Sequence, residues 1–510
     1  MLTKVKSFGL KGIEGFPVEV ETDIMNGLAH FEVVGLADTA IKEAKERVRS
    51  AVRNSGFEYP IKRIIINLAP ADIKKEGPIY DLAMAVSIVA LDKNVGLKDY
   101  QDYCYIGQLS LDGQVKKVRG VLPILIAARK AGVKKLIIPA ENAVEASFIQ
   151  GIAVYPVHSL EECVRFLKGE VQINKVEVCD YENVLNSKVE ALDFCNVKGQ
   201  ARAKRALEIA AAGGHNVIMI GPPGSGKSML AKCFPSILPD LTFEEALEVT
   251  KIHSVAGELD LKKGIVANRP FRSPHHTAST VSLTGGGTNS KPGEISLAHN
   301  GVLFLDEMPE YTRHTIETLR QPLEDGVITV ARANATVTYP ANFTLIASMN
   351  PCPCGNYGSK GKECTCSPSQ IHKYLAKLSG PIMDRIDIHI EVDNVTYDDL
   401  RSQKEEEKSE SIKARVDKAR KIQLERFKNS KNYSNAKMSV PQTKAFCKVD
   451  DDAEFLLRQA FDKLKLSARA HDRILRVART IADLDGEENI QVRHIAEAIS
   501  YRSLDRKYWG

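Results

Sequence analysis

The sequence contains no run of about 18 or more apolar residues, so no segment reads as a transmembrane helix. The opening stretch, MLTKVKSFGLKGIEGF, has no apolar block of the signal-peptide kind, and a cytoplasmic protein without membrane contact is expected. Internal repeats are absent. Charge of one sign is lacking too: the formal net charge is +5, too mild to demand a polyanionic partner, though it permits one. What is present is an ordinary globular composition over 510 residues, long enough for about three domains. In a cytosolic chain the ten cysteines should be reduced, metal-bound or catalytic rather than disulfide-paired.

Residues 1–168 read as one mixed α/β unit. Val18–Glu21 and His30–Val34 alternate like strands, Ile41–Ser55, Asp81–Leu91 and Gly120–Ala131 carry helical spacing, and Lys135–Pro139 reads as a buried strand. Residues 169–192 have little apolar periodicity and read as a linker. From Asp193 the pattern changes. A helix over Gln200–Ala212 leads into the apolar strand Asn216–Ile220, a Gly-rich loop, and a helix from Lys227. Two more apolar strands, Gly301–Leu305 and Phe343–Ser348, end at Asp306-Glu307 and near Asn350. Strands alternating with helices imply a parallel sheet over 193–400. Residues 401–440 read as a solvated charged helix and linker, and 441–510 as helical.

The Gly-rich loop is Gly221, Pro222, Pro223, Gly224, Ser225, Gly226, Lys227 and Ser228, which fits G-x-x-x-x-G-K-[ST]. Its glycines let successive N–H groups face phosphate oxygens, and the following helix N-terminus adds its positive end. Lys227 can reach the β- and γ-phosphates of ATP, and Ser228 can place its hydroxyl on Mg²⁺. Asp306, delivered by an apolar strand, suits the same magnesium, and Glu307 can polarise an attacking water. A chance Gly-rich turn is a poor rival, because the motif sits between an apolar strand and a helix.

VKGQARAKRALEIAAAGGHNVIMIGPPGSGKS, RPFRSPHHTAS, GEISLAHNGVLFLDE, ASMNPCPCG and SGPIMDRIDIHIEV together resemble the ComM/YifB family of magnesium-chelatase-like AAA+ ATPases, over nearly the whole chain. The resemblance implies an N-terminal Lon-protease-like α+β domain (1–168), a central AAA+ P-loop α/β sheet (193–400) and a C-terminal helical lid (441–510). It also implies a ring, a hexamer by family habit, and ATP-driven helicase activity on single-stranded or branched DNA, promoting branch migration in recombination or natural transformation. By position, Asn350 resembles the sensor-1 residue that orients water. Arg385 resembles an arginine finger inserted by a neighbouring subunit, against the alternative of a surface salt-bridging arginine. Arg469 resembles sensor 2, with Arg473 and Arg476 one and two turns further on. Val197-Lys198-Gly199-Gln200 resembles the segment beside the adenine.

GQLSLDGQVKKVRGVLPILIAARKAGVKKLIIPAEN resembles the second half of the Lon proteolytic domain. Where Lon has serine after Gly-Pro, this chain has Ile79, and the stretch Gly120–Ile124 has no lysine, so no Ser–Lys peptidase chemistry is expected. Cys352, Cys354, Cys364 and Cys366 form C-x-C, nine residues, C-x-C, amid Gly355, Gly358 and Gly361. They could close a structural Zn²⁺ site, with His372 as a candidate substitute ligand; a reduced loop that crosslinks on oxidation is the alternative.

Two segments resemble inserts of the helicase-like AAA+ branch. Val327–Tyr339 alternates on both sides of a turn at Arg332-Ala333-Asn334-Ala335. Phe271–Pro292 holds Arg272, His275, His276, Thr284-Gly285-Gly286-Gly287 and Lys291. Their cations would neutralise DNA phosphates in a ring pore, or the segments pack between subunits. Lys463, Lys465, Arg469, Arg473, Arg476 and Arg479 form a further basic series, facing nucleotide, DNA or only solvent. A chelatase-type motor that remodels a protein partner is the rival function.

Overall fold

In the computed structural model, all residues are described except 1, 186–191, 288–290, 333–334, 359–361, 395–400, 402–404, 429, 431–432, 465–466, 505–507 and 509–510. The described chain is mixed α/β and forms two compact units: Met1–Lys188 with Thr242–Ala267, and Val189–Leu241 with Asn268–Gly510. No described helix is long and apolar enough to cross a membrane.

The first unit is built on β1 (Leu2–Lys11), β2 (Glu14–Met25), β3 (His30–Val34), β4 (Arg63–Ala69), β5 (Tyr103–Tyr105), β6 (Lys135–Pro139) and β7 (Ala153–Val157). Their order across the sheet is β3-β4-β2-β1-β5-β6-β7. Only the β1–β2 and β2–β4 pairings are antiparallel. Side chains alternate across it: Ile64, Ile66 and Leu68 of β4 are fully buried, with less buried residues between them. Helix α1 (Thr39–Asn54) begins at Asp38, whose carboxylate accepts the Ile41 N–H, and buries the stripe Ile41, Ala44, Val48, Ala51 and Val52. Helix α2 (Asp81–Val89) is buried on every side, which suits its near-continuous apolar run. Helix α3 (Val121–Lys130) opens at Gly120.

Two stretches belong to this unit against the expectation from sequence. The residues expected as a linker are held up to Leu185: Val176 N–H donates to Val154 O and Cys179 N–H to Ser147 O, at 2.8 and 2.9 Å, and the Tyr181 ring packs on Phe243. Residues 242–267, expected within the 193–400 module, also fold here. Their helix Phe243–Ala256 starts with a capping box between Thr242 and Glu245, packs Leu247 against the first core, and offers the Ser254 hydroxyl to the Glu145 carboxylate and the Gly120 N–H. Each is a short apolar signal whose partners lie far away in sequence.

In the second unit α4 (Ala201–Gly213) precedes β8 (Val217–Ile220), and α5 (Lys227–Cys233) follows the Gly-rich loop. The strands that follow are β9 (Phe271–Arg272), β10 (Val302–Leu305), β11 (Val327–Arg332), β12 (Ala335–Pro340), β13 (Thr344–Met349) and β14 (Ile388–Glu391). The main sheet runs β9-β10-β13-β8-β14, every pairing parallel. β11 and β12 form a separate antiparallel ribbon between β10 and β13 in the chain. Helix α6 (Ser409–Arg426) is not merely solvated, as its charge suggested: Ile412, Val416, Ala419 and Gln423 are buried, and Gln423 donates to Ala212 O at 2.9 Å. Helices α7 (Ala468–Asp485) and α8 (Val492–Ser500) complete the core of this unit, with Ile474, Val477, Ile481 and Ile495 buried.

Candidate active site

Parallel strands release their chains at the same edge of a sheet, and that edge is where ligand loops gather. β8 ends there at Gly221, β10 at Asp306 and β13 at Asn350. Because β13 lies between the other two, Asn350 is set between the loop and the acidic pair. Gly221 is sterically required: a Cβ would lie 2.2 Å from Val392 O. Gly224 and Gly226 have φ of +80° and +88°, left-handed values that open the loop before α5 begins.

The Lys227 amine donates to Gly221 O and Pro222 O at 2.7 and 2.8 Å and lies 3.3 Å from Asn350 Oδ1. Burial pushes its pKa down to about 8, against the opposing pull of Asp306 and Glu307. A buried cation held by neutral carbonyl and hydroxyl oxygens is a ready receptor for an anion. Ser228 Oγ donates to Asp306 Oδ2 at 2.8 Å. Asp306 Oδ1 accepts from the Ser348 hydroxyl and from Glu307 N–H. Ser348 was not singled out from sequence; as the last inward residue but one of β13, it fixes the Asp306 carboxylate.

Glu307 has φ +49°, a left-handed conformation that costs a non-glycine residue about 1–3 kcal/mol. It turns the carboxylate out of the sheet, where its side chain is 53 % exposed and 3.7 Å from His276 Nδ1. His276 stacks near His275, with ring centroids 4.1 Å apart. The sequence places both histidines in an insert that faces DNA or packs between subunits; the fold puts His276 beside the acidic pair, because β9 neighbours β10. Gln200 reaches the loop as well, donating to Asp393 O at 2.6 Å and Ser225 O at 3.4 Å. Val197 itself is buried, 4 % exposed, in the core of this unit, so only its backbone could face a ligand.

The arginines gather at the other end of the sheet. Asn216, just before β8, donates to Arg385 O at 3.0 Å. The five residue steps from Asn216 to Gly221 span about 16 Å at roughly 3.3 Å each. Arg385 donates to Pro381 O at 2.6 Å and to Glu324, and its side chain is 11 % exposed. It shares an open cavity of ≈ 320 Å³ with Glu324, Asp387, Arg469, Arg473 and Arg476. Arg473 bonds the buried Asp387. Burial would raise that carboxyl, but Arg473 and His215 hold it far below the usual range. Arg476 bonds Thr443 and Ala436 O, and Arg479 is buried against Asp483. Arg469 is exposed. Three of the six cations in that basic series, Arg473, Arg476 and Arg479, are therefore taken up by partners within this unit.

Arg272 is bound bidentately by Glu294, at 2.6 and 2.8 Å, and so is not the open cation expected of it; Lys291 is exposed. The β11–β12 ribbon is present with Arg332 opposite Ala335, while its turn, the Arg332 side chain and Lys465 lie outside the described residues. Cys352, Cys354, Cys364 and Cys366 converge, their sulfurs all within 4.8 Å of one another. His372 is in the helix Pro368–Leu375 and not in that cluster.

Three family descriptions match in tandem: subunit ChlI of magnesium chelatase over residues 20–142, the magnesium chelatase ChlI subunit over 193–400, and its C-terminal part over 406–502. The chain is 44 % identical to the competence protein ComM of Haemophilus influenzae over 508 residues, 99 % of this chain and 98 % of that protein. It is 42 % identical to the YifB protein of Escherichia coli over 496 residues, 97 % and 96 % of the two chains. It is 22 % identical over 369 residues to the ChlI-2 subunit of Arabidopsis thaliana magnesium chelatase, 66 % of this chain and 80 % of that one. ATP hydrolysis goes with the magnesium-chelatase-like AAA+ fold. With that fold and full-length relatives of this identity, the chain belongs to the ComM/YifB family of magnesium-chelatase-like AAA+ ATPases.

Proposed function

We propose that this chain is a ring-forming motor, a hexamer by family habit, that hydrolyses ATP at sites shared between copies and moves on single-stranded or branched DNA. The observation that carries the shared site is the separation of the arginines from their own phosphate loop. With about 16 Å of strand between them, Arg385 and Arg469 cannot serve the γ-phosphate beside Lys227 of the same chain. They fit a role at a neighbour's site.

Within one site, the loop N–H groups and Lys227 draw in the triphosphate. Ser228 and Asp306, already hydrogen-bonded, would hold Mg²⁺, which supplies positive charge to the phosphate oxygens. Glu307 accepts a proton from water, and Asn350 orients that water toward the γ-phosphate. The neighbour's Arg385 offsets the charge that develops there, so hydrolysis depends on assembly. Val197–Gln200, beside the loop, bound the adenine.

For DNA, the support is the β11–β12 ribbon set between the two catalytic strands, with Lys291 on the neighbouring insert and a competence protein among the relatives. Phosphate contacts would make binding sequence-independent and salt-sensitive. The test is ATPase rate with and without forked or single-stranded DNA at rising salt. No stimulation and no salt-sensitive binding would remove DNA as the track. Stimulation by a partner protein instead would favour a chelatase-type remodelling motor, which the 22 % identity to a chelatase subunit keeps as the second reading. We assign no peptidase activity to the first unit: Ile79 is 6 % exposed on a single helical turn, and Gly120–Ile124 supplies no lysine. A cytoplasmic location goes with this work.

A further inference from the structure

The four cysteines are brought together more closely than their spacing required. Cys352 Sγ is 3.3 Å from Cys354 Sγ and 3.6 Å from Cys364 Sγ, and Cys354 and Cys364 are 3.6 Å apart. A tetrahedral ion with metal–sulfur bonds of about 2.3 Å sets its sulfurs about 3.8 Å apart. A disulfide needs about 2.05 Å. The observed separations fall near the first figure. Backbone N–H groups also point at two of the sulfurs, Cys354 N at Cys366 Sγ (3.4 Å) and Tyr357 N at Cys352 Sγ (3.3 Å). Such donors stabilise thiolates and fix their direction. Cys352 is buried and the other three are partly exposed, which leaves a route of entry. Four soft sulfurs with no carboxylate among them select zinc over magnesium or calcium.

The cluster is tied to the phosphate loop in two ways. Cys352 follows Asn350 by two residues, and Asn350 Oδ1 is 3.3 Å from the Lys227 amine. Gly355, at φ +82°, lies against the loop itself: a Cβ there would be 2.5 Å from Pro223 Cδ. Fixing the four cysteines fixes both the carboxamide that faces Lys227 and the turn that supports Pro223.

We propose that Cys352, Cys354, Cys364 and Cys366 together bind one Zn²⁺ as thiolates, and that this closed site braces the phosphate loop from outside. Zinc binding releases the thiol protons to solvent and leaves every ligand position filled by protein, so the ion is structural rather than hydrolytic. The bracing rests on the nucleotide-site reading above; the metal site does not.

The test uses the full chain purified without chelator. Elemental analysis should find about one zinc ion per chain, and cobalt reconstitution should give the intense visible bands of a tetrahedral tetrathiolate. The paired substitution Cys364→Ser, Cys366→Ser should abolish both signals. Chelation after mercurial release should lower the ATPase rate by about ten- to a hundredfold, the cost of a site misplaced by about an ångström, and zinc should restore it. Gly355→Ala, which keeps all four thiols, should retain zinc and still slow hydrolysis. Metal-free chains with oxidisable, unligated thiols would overturn the zinc site. Full zinc content with a rate indifferent to chelation and to Gly355→Ala would overturn the bracing. A zinc-loaded chain that binds no ATP even with Lys227 intact would instead count against the nucleotide reading.

Discussion

The Ser228 hydroxyl donates to Asp306 across 2.8 Å, joining the first residue after the loop lysine to the acid at the end of β10. The two groups proposed to hold magnesium are thus hydrogen-bonded to each other. Asp306→Asn should therefore weaken magnesium-dependent ATP binding and reduce hydrolysis. Lys227→Ala should abolish nucleotide binding. Glu307→Gln should leave binding intact and slow hydrolysis by about 10²–10⁴-fold. Fluorescent-nucleotide titration beside phosphate-release kinetics separates the three.

The low Lys227 pKa, about 8, gives a pH signature. Bound phosphates favour the charged amine and return its pKa toward the ordinary value. Above pH 8, ATP binding must then take up a proton, and affinity should fall as pH rises, by up to about tenfold per unit. Stability of the unliganded protein moves the other way. Between about pH 8 and 10.4 the unfolded chain holds a proton that the folded site does not, so this group favours folding more as pH rises. Calorimetry at pH 9 in two buffers of unlike ionisation heat measures the uptake; none in either would refute it.

Arg385 is held by Glu324, whose carboxyl is lowered first by that hydrogen bond and further by nearby Arg469. To serve a neighbour, Arg385 must leave it. Glu324→Gln should free the guanidinium and raise the ATPase rate at limiting protein concentration. Arg385→Ala should bind ATP but hydrolyse it about 10³-fold or more slowly. Mixing Arg385→Ala with Lys227→Ala chains should recover activity, since some interfaces then pair an intact loop with an intact arginine. Absence of recovery would contradict a shared site.

His276 stands 3.7 Å from Glu307, in a position to draw the carboxylate from the attacking water. His276→Ala should raise the DNA-independent ATPase several-fold and flatten its response to DNA. An unchanged ratio of the two rates would reduce His276 to packing.

In the C-terminal helices, Asp483 accepts from Arg426 at 2.6 and 2.7 Å, from Arg479 at 3.0 Å and from Asn435 at 2.7 Å. Asp483→Ala would leave the buried Arg479 and the partly buried Arg426 without their carboxylate, a loss of about 3–5 kcal/mol. Denaturant unfolding should show it as a lower midpoint, while substitution of the exposed Lys463 should leave the midpoint in place.

Motifs that act through adjacent residues were legible. The loop 221–228, the Asp306-Glu307 pair and strands β3, β6, β8, β10 and β13 could be read because each has its signal within a few positions. β1 and β14 were not singled out; the alternation of β1 is diluted by charged residues, and β14 is confined to four positions. His276, Ser348 and Glu324 act on residues 31, 42 and 61 positions away. Only sheet order and packing bring those pairs together, and a linear pattern has no term for either. Charge misled for the same reason: Arg272 reads as a loop cation for DNA or for packing between subunits, and Arg473, Arg476 and Arg479 as facing nucleotide, DNA or solvent, because their partners Glu294, Asp387, Thr443 and Asp483 could not be assigned without the fold.

The excursion of residues 242–267 has a genetic consequence. The chain passes between units three times, at 188–189, 241–242 and 267–268. Neither unit is then a contiguous stretch of gene. A fragment ending at 188 would lack the helix that covers α3. One beginning at 193 would carry that helix with Leu247 bare. Domain shuffling by a single crossover is closed to this architecture, and a transplant of the P-loop unit must move the borrowed helix and its acceptor surface together.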